Sequence, residues 1–303
     1  MFGKHNKPII SLNLGGGGTR GLAHIGVLKA LHENKIEFDL IIGVSMGAII
    51  GLNYALDPDP VSVEKKILNH LSSSEFRDTL LGSWRQADKK TGRNLLLRIN
   101  RVYKQTGLIG RLLLTKGVLS EEDIEAALFP IIPDVQFSSL KKPFICTAVN
   151  LTKGAISVFK EGSTRNPVLA SASMPLVFPP VFIGGDPHSD GGVLDKIGIE
   201  TAHSVGVKSI IAVDVSNNQG WKRKIATGID VMIRADEISA VYRKNNQLKK
   251  ANIIINPIKE DVHWADYSSA KTIIDSGYES TIEMIPEIRK KIKKIKTRFF
   301  FFR

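Results

Sequence analysis

An α/β fold with a mainly parallel central sheet is predicted by three features of this sequence. Short apolar runs of strand length alternate with runs at helical spacing, glycine-rich turns stand at the joins, and no fixed-period repeat breaks the alternation. A hydrophobic share of 43% and a charged share of 24% are those of an ordinary globular protein, and 303 residues suffice for one large domain.

The elements follow in order. "KPIISLNLGGGG" reads as a buried strand running into glycines, and "TRGLAHIGVLKALHEN" places Leu22, Ile25, Leu28 and Leu31 at helical spacing. "FDLIIGVS" is a second strand and "MGAIIGLNYAL" a second helix, stopped by "DPDP". Residues 61–130 read as helical, with Ser120 and Asp123 in a capping-box pattern. "PFICTAVNL" and "AISVFKEG", joined by Thr152-Lys153-Gly154, read as a β-hairpin. A short helix halted at Pro175 follows, and "SIIAVDVS" and "ANIIINPI" are further buried strands.

Two glycine-rich turns carry the chemistry. In "GVSMG", Gly43 and Gly47 flank Ser45 on a strand-to-helix turn, a geometry that projects a hydroxyl clear of its own backbone. The helix that follows aims N–H groups and a positive end at any charge developing there. In "GGGGTRG", consecutive backbone N–H groups are exposed to an anion. Gly16-Gly17-Gly18-Thr19-Arg20-Gly21 formally satisfies a dinucleotide fingerprint, but the second strand ends in Ser45 rather than in an acid. No Gly-Lys-Ser/Thr follows, which excludes a P-loop. An oxyanion hole is the preferred role of this run.

A base for Ser45 has two candidates in the sequence. A conventional order would place an acid and then a histidine after the serine, and His263 in "EDVHWADY" is the late histidine available. Asp190, in "HSDGGVLD", is the other, although an aspartate before Gly191 and Gly192 is also a common turn former.

"GGGTRG", "GVSMG" and "DGG", in this order, resemble the patatin-like phospholipases, a family that includes neuropathy-target-esterase-like catalytic domains. "ASASMPLVFPPV" resembles the segment before the family's aspartate and "AHSVGVKSIIAVDVS" the helix and strand after it. The resemblance covers residues 8–290 and implies a three-layer α/β/α sandwich. It makes Ser45 the nucleophile and Asp190 its dyad partner. Gly16, Gly17, Gly18, Thr19 and Arg20 become the oxyanion segment, with Gly191 and Gly192 in support. It implies a serine acyl hydrolase acting on phospholipid, lysophospholipid or other acyl esters without metal or cofactor. A catalytically silent, membrane-associated scaffold of the same fold is the alternative from another class. "VLDKIG" departs from the Asn-rich, proline-containing stretch that often follows Asp-Gly-Gly, which bears on how the aspartate is supported.

The formal charge of +12 is concentrated in two places. Residues 84–116, expected as a basic insert or lid, carry nine cations against Asp88, and residues 289–303 carry eight cations and no acid. The second stretch includes an expected basic, Phe-ending tail over 291–303. Both segments are candidate contacts for an anionic membrane surface; no nucleic-acid-binding motif accompanies them. Cys146 is the single cysteine, the opening residues lack a signal-peptide core, and no run reaches the ~18 apolar residues of a membrane span. The expectation is a cytoplasmic protein that touches a membrane from outside.

Overall fold

The computed structural model describes residues 9–79, 81, 117–216, 225–258 and 266–300; the basic segment 84–116 and His263 lie outside them. Strand β1 (Ile10–Leu14) leads through the glycine run and one 3-10 turn into α1 (Ala23–Glu33). Then come β2 (Leu40–Gly43), α2 (Met46–Leu56), α3 (Pro60–Ser72), α4 (Ser74–Asp78) and α5 (Glu121–Leu128). The hairpin β3 (Phe144–Asn150) and β4 (Ala155–Phe159) is followed by α6 (Arg165–Ala172), β5 (Val181–Ile183) and β6 (Asp186–Asp190). The chain continues through α7 (Ile199–Ser204), β7 (Ser209–Val213), α8 (Gly228–Leu248), β8 (Ile253–Ile255) and α9 (Ala270–Phe300).

The strands form one sheet in the order β5-β6-β3-β2-β1-β7-β8, with β4 on the other edge of β3. The four pairings among β3, β2, β1, β7 and β8 run parallel, whereas β4, β5 and β6 pair antiparallel. Alternation along each strand builds two cores. Ile41 with Leu12 and Leu14 joins the core under α1, α2, α3 and α9, while Leu40 and Ile42 join Ile210 and Ala212 in a second core. The second core is closed by Ile199 and Ala202 of α7 and by Leu248 at the end of α8. Helices therefore cover both faces of the sheet, as the α/β/α expectation requires.

Several local expectations are met on physical grounds. Thr152 and Lys153 close the β3–β4 turn by donating their N–H groups to the Asn150 side chain, and Gly154 takes the left-handed φ of 63° that the turn needs. Ser120 caps α5 by accepting from the Asp123 N–H at 3.1 Å. The expected tail boundary at 291 does not coincide with an element boundary, because α9 continues to Phe300. Its Ile285, Ile288 and Ile292 are buried against the core, and Arg289 donates to the Asn34 carbonyl at 3.1 Å.

Candidate active site

Ser45 stands between β2 and α2 with φ 56° and ψ −126°, a left-handed backbone that non-glycine residues rarely hold. The close packing of the elbow explains the glycines beside it. A Cβ at Gly43 would lie 2.5 Å from the Ala48 Cα, and one at Gly47 would lie 2.0 Å from the Leu14 carbonyl oxygen. The strand, turn and helix are thus pressed together until only glycine fits on either side. The Ser45 N–H donates to the Ser171 Oγ at 2.9 Å, so a buried serine of α6 fixes the strained backbone.

Sheet topology brings Asp190 to this elbow. β2 ends with Gly43 opposite Cys146, while β3 continues, and β6 pairs with its extension: Asp190 lies opposite Ala148. β4 occupies the other edge of β3 at both positions, so β2 and β6 share one edge. Running antiparallel, β6 ends where β2 ends, and its last side chain meets the turn after Gly43. The Ser45 side chain hydrogen-bonds the Asp190 carboxyl. Gly192 donates its N–H to Asp190 Oδ1 at 2.7 Å. Burial pushes the Asp190 carboxyl up to about 6, although the bonds from Ser45 and Gly192 and the charge of Lys196 pull the other way.

The glycine run is pinned at its first two residues. Gly15 N–H donates to the Val213 carbonyl at 3.2 Å, and Gly16 N–H donates to the Lys196 carbonyl at 2.9 Å. Buried His24 holds the same turn, its Nε2–H donating to the Gly15 carbonyl at 2.8 Å, and burial lowers that imidazole to about 4. Gly16 is therefore not a donor to substrate, contrary to expectation, because its N–H is already spent. Gly17 caps the 3-10 turn and Gly18 is its first residue, and among the described residues no acceptor takes their N–H groups. Gly18 has a left-handed φ of 59°. Arg20 does not point a lone charge outward; its Nε donates to the Gly17 carbonyl at 3.2 Å, bracing the turn. Thr19 is wholly buried.

The departure at "VLDKIG" has a local purpose. Asp195 accepts from the Ile199 and Thr201 N–H groups at 2.8 and 2.9 Å and so caps α7. Lys196 supplies both the carbonyl that holds Gly16 and a charge beside Asp190. His188 is occupied elsewhere: its Nδ1–H donates to the Asp186 carbonyl at 2.9 Å, and Nε2 accepts from the Ser157 hydroxyl at 3.0 Å. Cys146 is buried, and burial pushes its thiol far up, so it packs as an apolar residue. Reading the sequence did not find Ser171, His24 or Lys196 as site residues. They act through backbone groups distant in the chain, and no motif marks such a contact. Nor did it find the N–H of Met46, the first of α2, although its place after an elbow serine is the available signal.

Fold and site together define an α/β protein organised around a strand–serine–helix elbow. The Patatin-like phospholipase family model matches residues 12–203, and the chain belongs to that family. Lysophospholipase nte1 of Aspergillus fumigatus is 30% identical over 208 residues, covering 69% of this chain and 12% of that protein. Lysophospholipase NTE1 of Debaryomyces hansenii is 28% identical over the same length and the same shares. The chain thus spans about one eighth of the length of these relatives. The crystal structure of VipD from Legionella pneumophila has a similar fold, with a TM-score of 0.50 and 14% identity over 93% of this chain and 67% of that one. Among the described residues no helix is long and apolar enough to cross a membrane.

Proposed function

We propose that the chain is a serine acyl hydrolase that cleaves acyl esters of lipids, with Ser45 as nucleophile and Asp190 as proton acceptor. The observation that carries this reading is the strained Ser45 elbow hydrogen-bonded to a buried carboxyl. A carboxylate of ordinary acidity is a poor base for a hydroxyl; one held at about 6 is better matched while still ionised at neutral pH. Ser45 Oγ attacks the ester carbonyl as its proton passes to Asp190. The oxyanion is met by the N–H groups of Gly17 and Gly18 and of Met46 at the N-terminus of α2, each good donor contributing about 3 kcal/mol. Asp190 returns the proton to the leaving alkoxide, and an acyl group remains on Ser45. Water, deprotonated by Asp190, then attacks the acyl group, and the proton passes to Ser45 Oγ as the fatty acid leaves.

The relatives' name, lysophospholipase, supports a single-chain phospholipid as the substrate class. The test is hydrolysis of lysophosphatidylcholine and of a soluble nitrophenyl ester, with labelling by a fluorophosphonate probe. Wild type should turn over both esters and take up the probe. Ser45→Ala should lose turnover and labelling, and Asp190→Asn should lose at least a thousandfold in turnover while remaining folded. Absence of labelling in folded wild-type protein would favour the silent scaffold, and a fully active Asp190→Asn would return the base to His263.

A further inference from the structure

Helix α8 presents an apolar stripe to solvent at the end of the molecule where Ser45 opens. Its 21 residues span about 30 Å, whereas β7, on which it lies, has five residues and spans about 17 Å. The C-terminal part of α8 is anchored: Lys244 Nζ donates to Asp214 Oδ2 at 2.8 Å and Gln247 donates to the Leu194 carbonyl at 3.0 Å. Just beyond the helix, Asn252 pairs with Ile210 near the start of β7. The helix enters from the C-terminal edge of the parallel strands, so its first turns extend past that edge. This is the edge that carries the glycine run and the elbow. No described side chain from Asp230 to Arg243 is buried.

What this segment exposes is mainly apolar. Val231, Ile238 and Tyr242, with Ala235 between them, follow helical spacing along one line and are 54%, 54% and 72% exposed for the three larger residues. Met232 and Val241 flank the line, also exposed. No charge stands on the line itself; Asp236 and Ser239 are exposed beside it, and Asp230, Arg234 and Glu237 are half-buried.

We infer that this stripe is the surface by which the protein enters a lipid interface, bringing the Ser45 mouth against the layer that holds its substrate. The inference rests on the reading of the chain as a lipid acyl hydrolase. Three observations favour a lipid layer over a second copy of the chain. The stripe lies at the edge of the sheet where Ser45 opens. It is a strip of about 17 by 10 Å, which buries a few hundred Å² per copy, short of the roughly 1,200 Å² in total that a stable dimer needs. Helix residues 230–243 are nearly balanced in charge, Arg234 and Arg243 standing against Asp230, Asp236 and Glu237. Entry is therefore apolar, as for a helix lying in the plane of an interface, and does not depend on anionic head groups.

The test uses the full chain and vesicles of neutral phosphatidylcholine. The triple variant Val231→Gln, Ile238→Gln, Tyr242→Gln should bind these vesicles at least tenfold more weakly, with binding by wild type persisting in molar salt. Hydrolysis of a soluble nitrophenyl ester should be unchanged, since none of the three residues belongs to the site. Ile238→Cys, labelled with an environment-sensitive fluorophore while buried Cys146 stays unreactive, should shift its emission to the blue on vesicles. Equal vesicle binding by wild type and triple variant, or no spectral shift, would overturn the inference. So would a dimer in lipid-free sedimentation that the triple variant abolishes, because the stripe would then be a seam between copies. Failure of the hydrolase reading would show separately, as a wild type inert on the soluble ester, while vesicle binding still decides this one.

Discussion

Asp190 costs the fold stability in the ionised form that the proposed chemistry uses. Its carboxyl is held at about 6 in the folded protein against an ordinary 3.8, with burial the main cause. The native state therefore grips this proton more tightly than the unfolded chain does. The stability it confers is complete below about pH 4 and is lost as pH rises through 6. The loss at neutral pH is about 3 kcal/mol, an order of magnitude that follows from the displacement. Asp190→Asn removes the titration and should raise the thermal midpoint by several degrees at pH 8, with the gain vanishing toward pH 4. Turnover of the wild type on a soluble ester should in turn rise with pH and reach half its plateau near 6. A midpoint difference independent of pH would show that Asp190 is not held protonated by burial. Ser45 and Asp190, the proposed nucleophile and its partner, were legible at this scale because a glycine must stand where backbones touch. Ser171 and His24 were not, since a serine or histidine that fixes a remote backbone group leaves no local pattern.

Among elements, the tightest joint lies between α1 and α9. A Cβ at Gly26 would fall 1.9 Å from the Ile274 carbonyl oxygen, and one at Gly277 would fall 2.1 Å from that of Ala23. Backbone meets backbone, so neither side can yield by turning a side chain. Gly26→Ala gains about 1 kcal/mol of helix propensity in isolation, yet overpacking here should cost 2 kcal/mol or more net. Urea unfolding should show the fall, and a variant as stable as wild type would mean that the helices do not cross so closely. Strands β1 to β4, β7 and β8 and the first two helices could be read from the sequence because apolar period and turn chemistry agreed. Helices α8 and α9 could not. In α8 the apolar line faces solvent and the body-facing side mixes Asp230, Ile233, Arg234 and Glu237, so the usual amphipathic signal is inverted. In α9 the internal Pro286 and the dense lysines after 289 disguised one continuous helix. β6 carries the polar stretch "DPHSD", and its entry above the end of β2 depends on β3 outrunning β2, a property of register.

The whole molecule has two unlike ends. The C-terminal edge of the parallel strands holds Ser45, Asp190, the glycine run and the projecting turns of α8. α1 leaves that edge and descends beside the sheet to return to β2, so Asn34 and Glu37 mark the opposite end. Arg289 of α9 bonds Asn34, and Lys296 lies 3.7 Å from Glu37; a cleft lined by Lys35, Arg289, Lys293 and Lys296 opens there. The basic stretch from 289 to 300 thus lies at the far end from Ser45, and an anionic surface drawn to it would not seat the catalytic mouth. Deleting residues 289–303 is a poor test of its role, because Ile292 is part of the core and would go with it. Lys290, Lys293 and Lys294 are exposed, and reversing their charge leaves that packing intact. Changing all three to Glu should weaken attachment to anionic vesicles at low salt, where surface charges act over about 30 Å at an ionic strength of roughly 0.01 M. The same variant should hydrolyse lysophosphatidylcholine in neutral vesicles within twofold of the wild-type rate. A loss on neutral vesicles as large as that of the α8 triple variant would show that the basic end, and not α8, brings Ser45 to the lipid.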